Sequence, residues 1–165
     1  MTFLSWRDNY TVGIPQIDTE HQYIFRLINE FHDKCAGGDR DAKLLVMLNR
    51  LVAYAKQHFQ HEESLMQEVG YPRLERHLGQ HVELFSSIFA LSERVAQEPG
   101  KADAEALRFL KTWMLDHILK DDMDIGDFLR RRAVATEKTI HDGAVDEKQT
   151  AVAAGNAVAA QSPIQ

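Results

Sequence analysis

The sequence predicts an all-α fold: an antiparallel up-down-up-down four-helix bundle with an irregular N-terminal arm and a flexible C-terminal tail. Three observations lead there. Apolar residues recur at spacings of three and four through four long stretches. Segments containing Gly, Pro or both separate those stretches. No segment alternates convincingly as a half-buried strand does, and no internal repeat is visible.

Residues 1–18 read as the arm. Trp6, Tyr10, Val12, Ile14 and Ile17 are apolar but follow no helical period, and Gly13 and Pro15 interrupt the chain. Asp18 stands where a helix N-cap would stand, and Phe25, Leu27, Ile28 and Phe31 continue as an apolar stripe to about Ala36. Gly37-Gly38-Asp39 stops it. A second helix is predicted from about Arg40 to Val69, on a stripe that includes Leu44, Leu48, Leu51, Ala55, Phe59 and Met66. Gly70-Tyr71-Pro72 ends it. A proline in the opening turn favours a third helix, about Pro72 to Gln97, with Leu74, Leu78, Phe85, Ile88, Phe89 and Leu91 on its stripe. Glu98-Pro99-Gly100 makes the next turn. The fourth helix, about Ala102 to Arg132, carries Leu107, Leu110, Trp113, Met114, Ile118, Ile125 and Leu129. Short connections make neighbouring helices antiparallel. The helical domain therefore takes residues 1–132. From Ala133 to Gln165 the chain is rich in Ala, Thr, Val, Asp and Gln and has no large aromatic, as expected of a disordered tail.

Composition bounds the function. At 165 residues the chain supports one sizeable core. A net charge of −6, with acids and bases interleaved, gives no basic face for nucleic acid. The single cysteine, Cys35, excludes a disulfide framework within the chain. No apolar run approaches the roughly 20 residues of a membrane span, and no secretory signal opens the chain. These features predict a cytoplasmic protein.

Histidine spacing carries the chemistry. Seven of the eight histidines fall between His21 and His117. His58 and Glu62 are four apart on the second helix, and His77 and His81 four apart on the third. Residues at i and i+4 share a helix face one turn apart, so each pair can present two ligands to one point. His21 opens the first helix, and His117 precedes the acids Asp121, Asp122 and Asp124 on the fourth. A lone core histidine is more often a hydrogen-bonded packing residue than a ligand. Two such pairs plus two single histidines, on four helices and beside apolar stripes, instead predict a metal site. His32, His61 and His141 are the expected non-ligands. Five imidazoles with at least two carboxylates exceed one tetrahedral zinc, and calcium and magnesium prefer all-oxygen shells. Mixed nitrogen and carboxylate donors suit iron, with manganese or zinc as poorer fits, and seven donors suggest two metals bridged by carboxylates.

The ordered set Trp6…Gly13…Ile17-Asp18-x-Glu20-His21, His58-x-x-x-Glu62, His77-x-x-x-His81 and His117-x-x-x-x-Asp122 resembles the hemerythrins, in particular the single-domain bacteriohemerythrins. It covers about residues 1–132. The bundle expectation leans on that resemblance as well as on periodicity, since myohemerythrin is itself a standard up-down-up-down bundle. The resemblance implies two non-haem iron ions joined by an oxo or hydroxo bridge. His77, His81 and His117 would hold one, His21 and His58 the other, and Glu62 and Asp122 would bridge them. The first iron would then be six-coordinate and the second would keep one open position for dioxygen. Helical geometry alone favours Asp121, at i+4 from His117, whereas the resemblance selects Asp122. A π-type irregularity between His117 and Asp122 would reconcile the two.

The resulting expectation is reversible dioxygen binding for transport, storage or delivery. The protein would be a monomer and not an enzyme, serving an unidentified oxygen-consuming recipient. The carboxylate-rich oxidases of related architecture use paired Glu-x-x-His motifs, which this sequence lacks. An apolar wall of Phe25, Ile28, Tyr54, Trp113 and Ile118 would shield the ligand from water and acid. Two alternatives remain: an oxygen or redox sensor acting through a partner, and a di-iron peroxidase or oxidase.

Overall fold

The computed structural model describes residues 2–36, 42–97 and 103–137. It is all helical: α1 Pro15–Ala36, α2 Ala42–Val69, α3 Leu74–Gln97 and α4 Asp103–His117. A π-helical turn, Ile118–Asp122, follows α4 directly. α1 packs on α2 and α4, and α3 also packs on α2 and α4, the closed neighbour order of a four-helix bundle. Residues Met1–Gly126 form one compact unit and the chain from Asp127 a second. Within the second, residues 127–137 are helical. No helix among the described residues is long and apolar enough to cross a membrane.

The predicted stripes face inward in most places. Ile24, Ile28 and Phe31 of α1 meet Leu44, Leu48 and Leu51 of α2, and Ile88, Leu91 and Leu110 join them in one core. Each fully buried side chain of this size contributes roughly 1.5–3 kcal/mol. Phe89 departs from its expected place: it is 52% exposed. The buried face of α3 runs through His77, His81, Ile88, Leu91, Ser92 and Val95. Phe89 lies one residue past Ile88, about 100° round the helix, and so turns away.

Asp18 does not cap α1. The helix begins earlier, at Pro15, a favoured first-turn position for proline. The Asp18 carboxylate instead accepts the backbone N–H of Val12 at 2.7 Å and of Gly13 at 3.1 Å. It ties the arm back onto the helix. Asn29 does the same further along, accepting from Leu4 N and donating to Leu4 O, both at 2.8 Å. The arm is thereby part of the core, with Leu4, Tyr10 and Val12 buried.

The tail expectation is corrected at its start. Residues 133–137 are helical rather than disordered. Ala133 and Ala135 favour helix, and the Thr136 hydroxyl donates to Arg132 O at 3.0 Å. The rest of that prediction, residues 138–165 and with them His141, lies outside the described residues. So do the predicted turns around Gly37-Gly38-Asp39 and Pro99-Gly100.

Gly126 tests how tightly the arm is seated. A Cβ there would collide with the Val12 carbonyl oxygen and crowd its side chain. Gly126→Ala should lower unfolding stability by roughly 1–3 kcal/mol. Gly79→Ala, on a helix position with open space, should be neutral or stabilising by up to about 1 kcal/mol. Denaturant titration of both variants checks the contrast.

Candidate metal centre

Alternating helix direction brings the first half of α1, the last half of α2, the first half of α3 and the end of α4 to one end of the bundle. His21, His58, Glu62, His77, His81, His117 and Asp122 occupy those positions, and all seven are buried. His21 Nε2 lies 3.1 Å from His58 Nε2. His81 Nε2 lies 2.9 Å from His77 Nε2 and 3.2 Å from His117 Nε2. The imidazoles thus form two clusters, a pair and a trio.

The two carboxylates stand between the clusters. Glu62 directs Oε1 toward the pair, 3.5 Å from His58 Nε2 and 3.8 Å from His21 Nε2. Its Oε2 faces the trio, 3.1 Å from His81 Nε2 and 3.8 Å from His77 Nε2. Asp122 does likewise: Oδ2 is 3.2 Å from His21 Nε2, and Oδ1 is 3.2 Å from His117 Nε2 and 3.5 Å from His77 Nε2. All four oxygens are buried, and none makes a directed hydrogen bond. Buried carboxylate oxygens are costly in that condition. Three mutually facing ring nitrogens also cannot all be satisfied by sharing protons. Cations resolve both problems. Glu62, His77, His81, His117 and Asp122 place one donor atom each within 4.8 Å of one another, as do His21, His58, Glu62 and Asp122. The residues make two buried groups of donors that could each hold a metal ion and that share both carboxylates.

The π-turn places Asp122, and not Asp121, among the clustered donor groups. It widens the backbone over Ile118–Asp122, so a residue five positions after His117 returns to the same face. Asp122 is fully buried in the cluster, while the Asp121 side chain is 16% exposed. Asp121 Oδ2 lies instead 3.5 Å from His117 Nδ1, on the far side of that ring, and Oδ1 accepts from Gln80 Nε2 at 2.6 Å.

Asp121 is one of three carboxylates behind the imidazoles. His58 Nδ1 donates to Glu20 Oε2 at 2.9 Å, and His81 Nδ1 donates to Glu63 Oε1 at 2.9 Å. Such contacts fix the tautomer, leaving the Nε2 lone pair free for metal. Glu20 also accepts from His61 Nδ1 at 2.6 Å and from Gln16 Nε2 at 3.0 Å. His61 thus faces the back of the cluster, and His32 lies away from it, stacked on Phe3 at 4.7 Å. Aromatic rings wall the site: Phe59 stacks on His81 at 4.0 Å, and Trp6 of the arm lies 6.5 Å from His21.

Sequence reasoning gave no role to Glu20 or Glu63. A signal for Glu20 existed. It falls three after Ile17 and four before Ile24, so it is a carboxylate on the buried stripe of α1. Glu63 carries the same signal, four after Phe59 and three before Met66 on α2.

Burial alone would lower the His117 pKa, but Asp122, Asp121 and Glu62 outweigh it and raise the ring to about 9. His58 is raised in the same way: Glu62, Glu20 and Asp122 overcome desolvation. Burial pushes Glu62 up, yet the imidazoles around it hold it well below the usual carboxylate range. In the metal-free chain the carboxylates therefore favour the charged form of His117 and His58, and the imidazoles favour the charged form of Glu62. The His117 contribution is complete below pH 6.5 and is lost as pH rises through about 9. Unfolding stability of the metal-free protein should fall by roughly 1–3 kcal/mol over that window. His117→Gln should flatten the decline, and denaturant titrations at the two ends measure both.

The profile of the family described as Hemerythrin HHE cation binding domain matches residues 12–129. A bacteriohemerythrin from Pseudomonas aeruginosa is 36% identical over 132 residues, spanning 79% of this chain and 84% of that protein. A myohemerythrin from Riftia pachyptila is 31% identical over 113 residues, spanning 68% and 82%. The crystal structure of wild-type hemerythrin superposes with a TM-score of 0.69 at 27% identity, covering 75% of this chain and 95% of that one. With a buried His, Glu and Asp cluster on the same four-helix scaffold, the chain belongs to the hemerythrin family.

Proposed function

We propose that this chain binds dioxygen reversibly at a pair of iron ions held by His21, His58, Glu62, His77, His81, His117 and Asp122, within a functional unit of residues 1–132. The observation that carries the proposal is the division of each buried carboxylate, one oxygen toward the imidazole pair and one toward the trio. That arrangement suits two metals rather than one. His77, His81 and His117 give one iron three nitrogens, and His21 and His58 give the other two, which leaves the second position short of one donor. Two ferrous ions held there would supply the two electrons that reversible dioxygen binding draws on.

The surrounding residues favour a carrier over an enzyme. Phe25, Ile28, Trp113 and Ile118 are buried in the apolar core, and Phe59, which stacks on His81, lies 6.3 Å from Trp113. The imidazole-rich donor set carries less negative charge than a carboxylate-rich one, which disfavours the higher oxidation states that oxidases use.

Two experiments test it. The reduced, iron-loaded protein should be nearly colourless, gain iron charge-transfer absorption in air and lose it under vacuum. Two bound irons with no such optical change would sink the proposal, and steady turnover of a co-substrate would favour an enzyme. Separately, Asp122→Ala should hold fewer than two irons, whereas Asp121→Ala should keep both with at most a roughly tenfold loss of affinity. The reverse pattern would exchange their roles.

A further inference from the structure

The two metal positions are backed unequally, and the difference lies in the outer faces of the histidine rings. In the trio, His81 Nδ1 is held by Glu63 at 2.9 Å, while His117 Nδ1 makes no hydrogen bond but lies 3.5 Å from the Asp121 carboxylate. In the pair, His58 Nδ1 is held by Glu20 at 2.9 Å, but His21 Nδ1 is buried with no hydrogen-bond partner. A buried imidazole whose Nε2 serves a metal must carry its proton on Nδ1, and an unsatisfied buried N–H is costly. His21 and His117 both lack that hydrogen bond, but His117 Nδ1 faces a carboxylate at 3.5 Å and His21 Nδ1 faces none. The pair also offers two nitrogens where the trio offers three.

We infer that the two positions fill in order, the His77/His81/His117 position first, and that Glu20 is the positioning residue on which occupancy of the His21/His58 position depends. This rests on the two-metal reading above. Glu20 suits the task. It is buried on α1, one residue from His21, and its two oxygens receive His58, His61 and Gln16. One carboxylate from α1 thus sets the tautomer and orientation of a ligand on α2, and links the two helices that supply the weaker position. Glu63 has the equivalent place behind His81, where α2 meets α3.

The consequence is a half-loaded state. Iron in the trio position alone leaves the donor-poor position empty, so a chain with one metal would be folded but unable to bind dioxygen. The second metal would be the one exchanged or lost first.

Anaerobic titration of the full metal-free chain with Fe(II), against a competing chelator, resolves the steps. The native protein should take up two equivalents in two separable steps. Glu20→Ala should weaken the second step by about 10–100-fold and leave the first within about threefold. Glu20→Gln retains an oxygen acceptor for His58 Nδ1 and should recover most of the second step, which a merely structural role for Glu20 would not require. Glu63→Ala should weaken the first step instead. The native protein taking up fewer than two equivalents would overturn the two-metal reading and this inference together. Two equivalents in the native chain, with Glu20→Ala weakening both steps equally or neither, would overturn the inference alone. Helix content and thermal midpoint of each metal-free variant separate lost positioning from lost folding.

Discussion

Two carboxylates buried without hydrogen bonds, facing five imidazoles, govern this structure. Taking a carboxylate out of water costs several kcal/mol even after relaxation. A fully buried leucine or isoleucine contributes roughly 1.5–3 kcal/mol, so several are needed to offset each charge. The fold answers on two levels. At one end of the bundle it concentrates an uninterrupted apolar core, from Ile28, Phe31, Leu48 and Ile88 among others. At the other it brings opposite charge to the carboxylates. Without metal, the carboxylates raise His117 and His58 toward their charged forms and the imidazoles depress Glu62. With metal, the cations take over the same role. A bound cation is thus part of the core rather than an addition to it.

Such a centre demands rigid ligands, and rigidity comes from behind. Glu20, Glu63 and Asp121 stand at the back of His58, His81 and His117, each from a helix position adjacent to a cluster residue. Each pairing of Glu20 and Glu63 crosses between helices, so the outer hydrogen bonds also lock the packing of α1 on α2 and of α2 on α3. The arm closes the remaining side. Held by Asp18 and Asn29, it lays Trp6 edge-on to Phe25 at 5.2 Å and near His21. Loosening the arm would therefore reach the His21 side of the cluster, which has no carboxylate behind it.

The π-turn shows how a local irregularity serves the centre. An unbroken α-helix would carry Asp121 toward the cluster and leave Asp122 displaced by about 100°. The wide turn over Ile118–Asp122 inverts that, delivering Asp122 to the cluster and Asp121 to the back of His117. Consecutive acids thereby acquire different tasks, one inside the donor set and one behind it.

Much of this was legible without coordinates. The three-four periodicity marks four helices and most of their buried faces, because burial against neighbours imposes that spacing on any amphipathic helix. The i,i+4 pairs His58/Glu62 and His77/His81 mark the cluster for the same reason, since a single helix already aligns them. The π-turn was expected only through the resemblance, which selects Asp122 where α-helical spacing from His117 favours Asp121. What the sequence could not decide was everything that depends on two chain segments meeting. Asp18 looks like a helix cap until the arm folds back and offers it Val12 N and Gly13 N. Phe89 fits a stripe until the neighbouring helices define which arc of α3 is covered. Glu20 and Glu63 gain their roles only from His58 and His81 on other helices, and the orphaned Nδ1 of His21 is an absence of contact that no spacing records. Periodicity is a property of one helix and survives in the sequence; hydrogen bonds between helices are properties of their packing, and tertiary structure alone determines them.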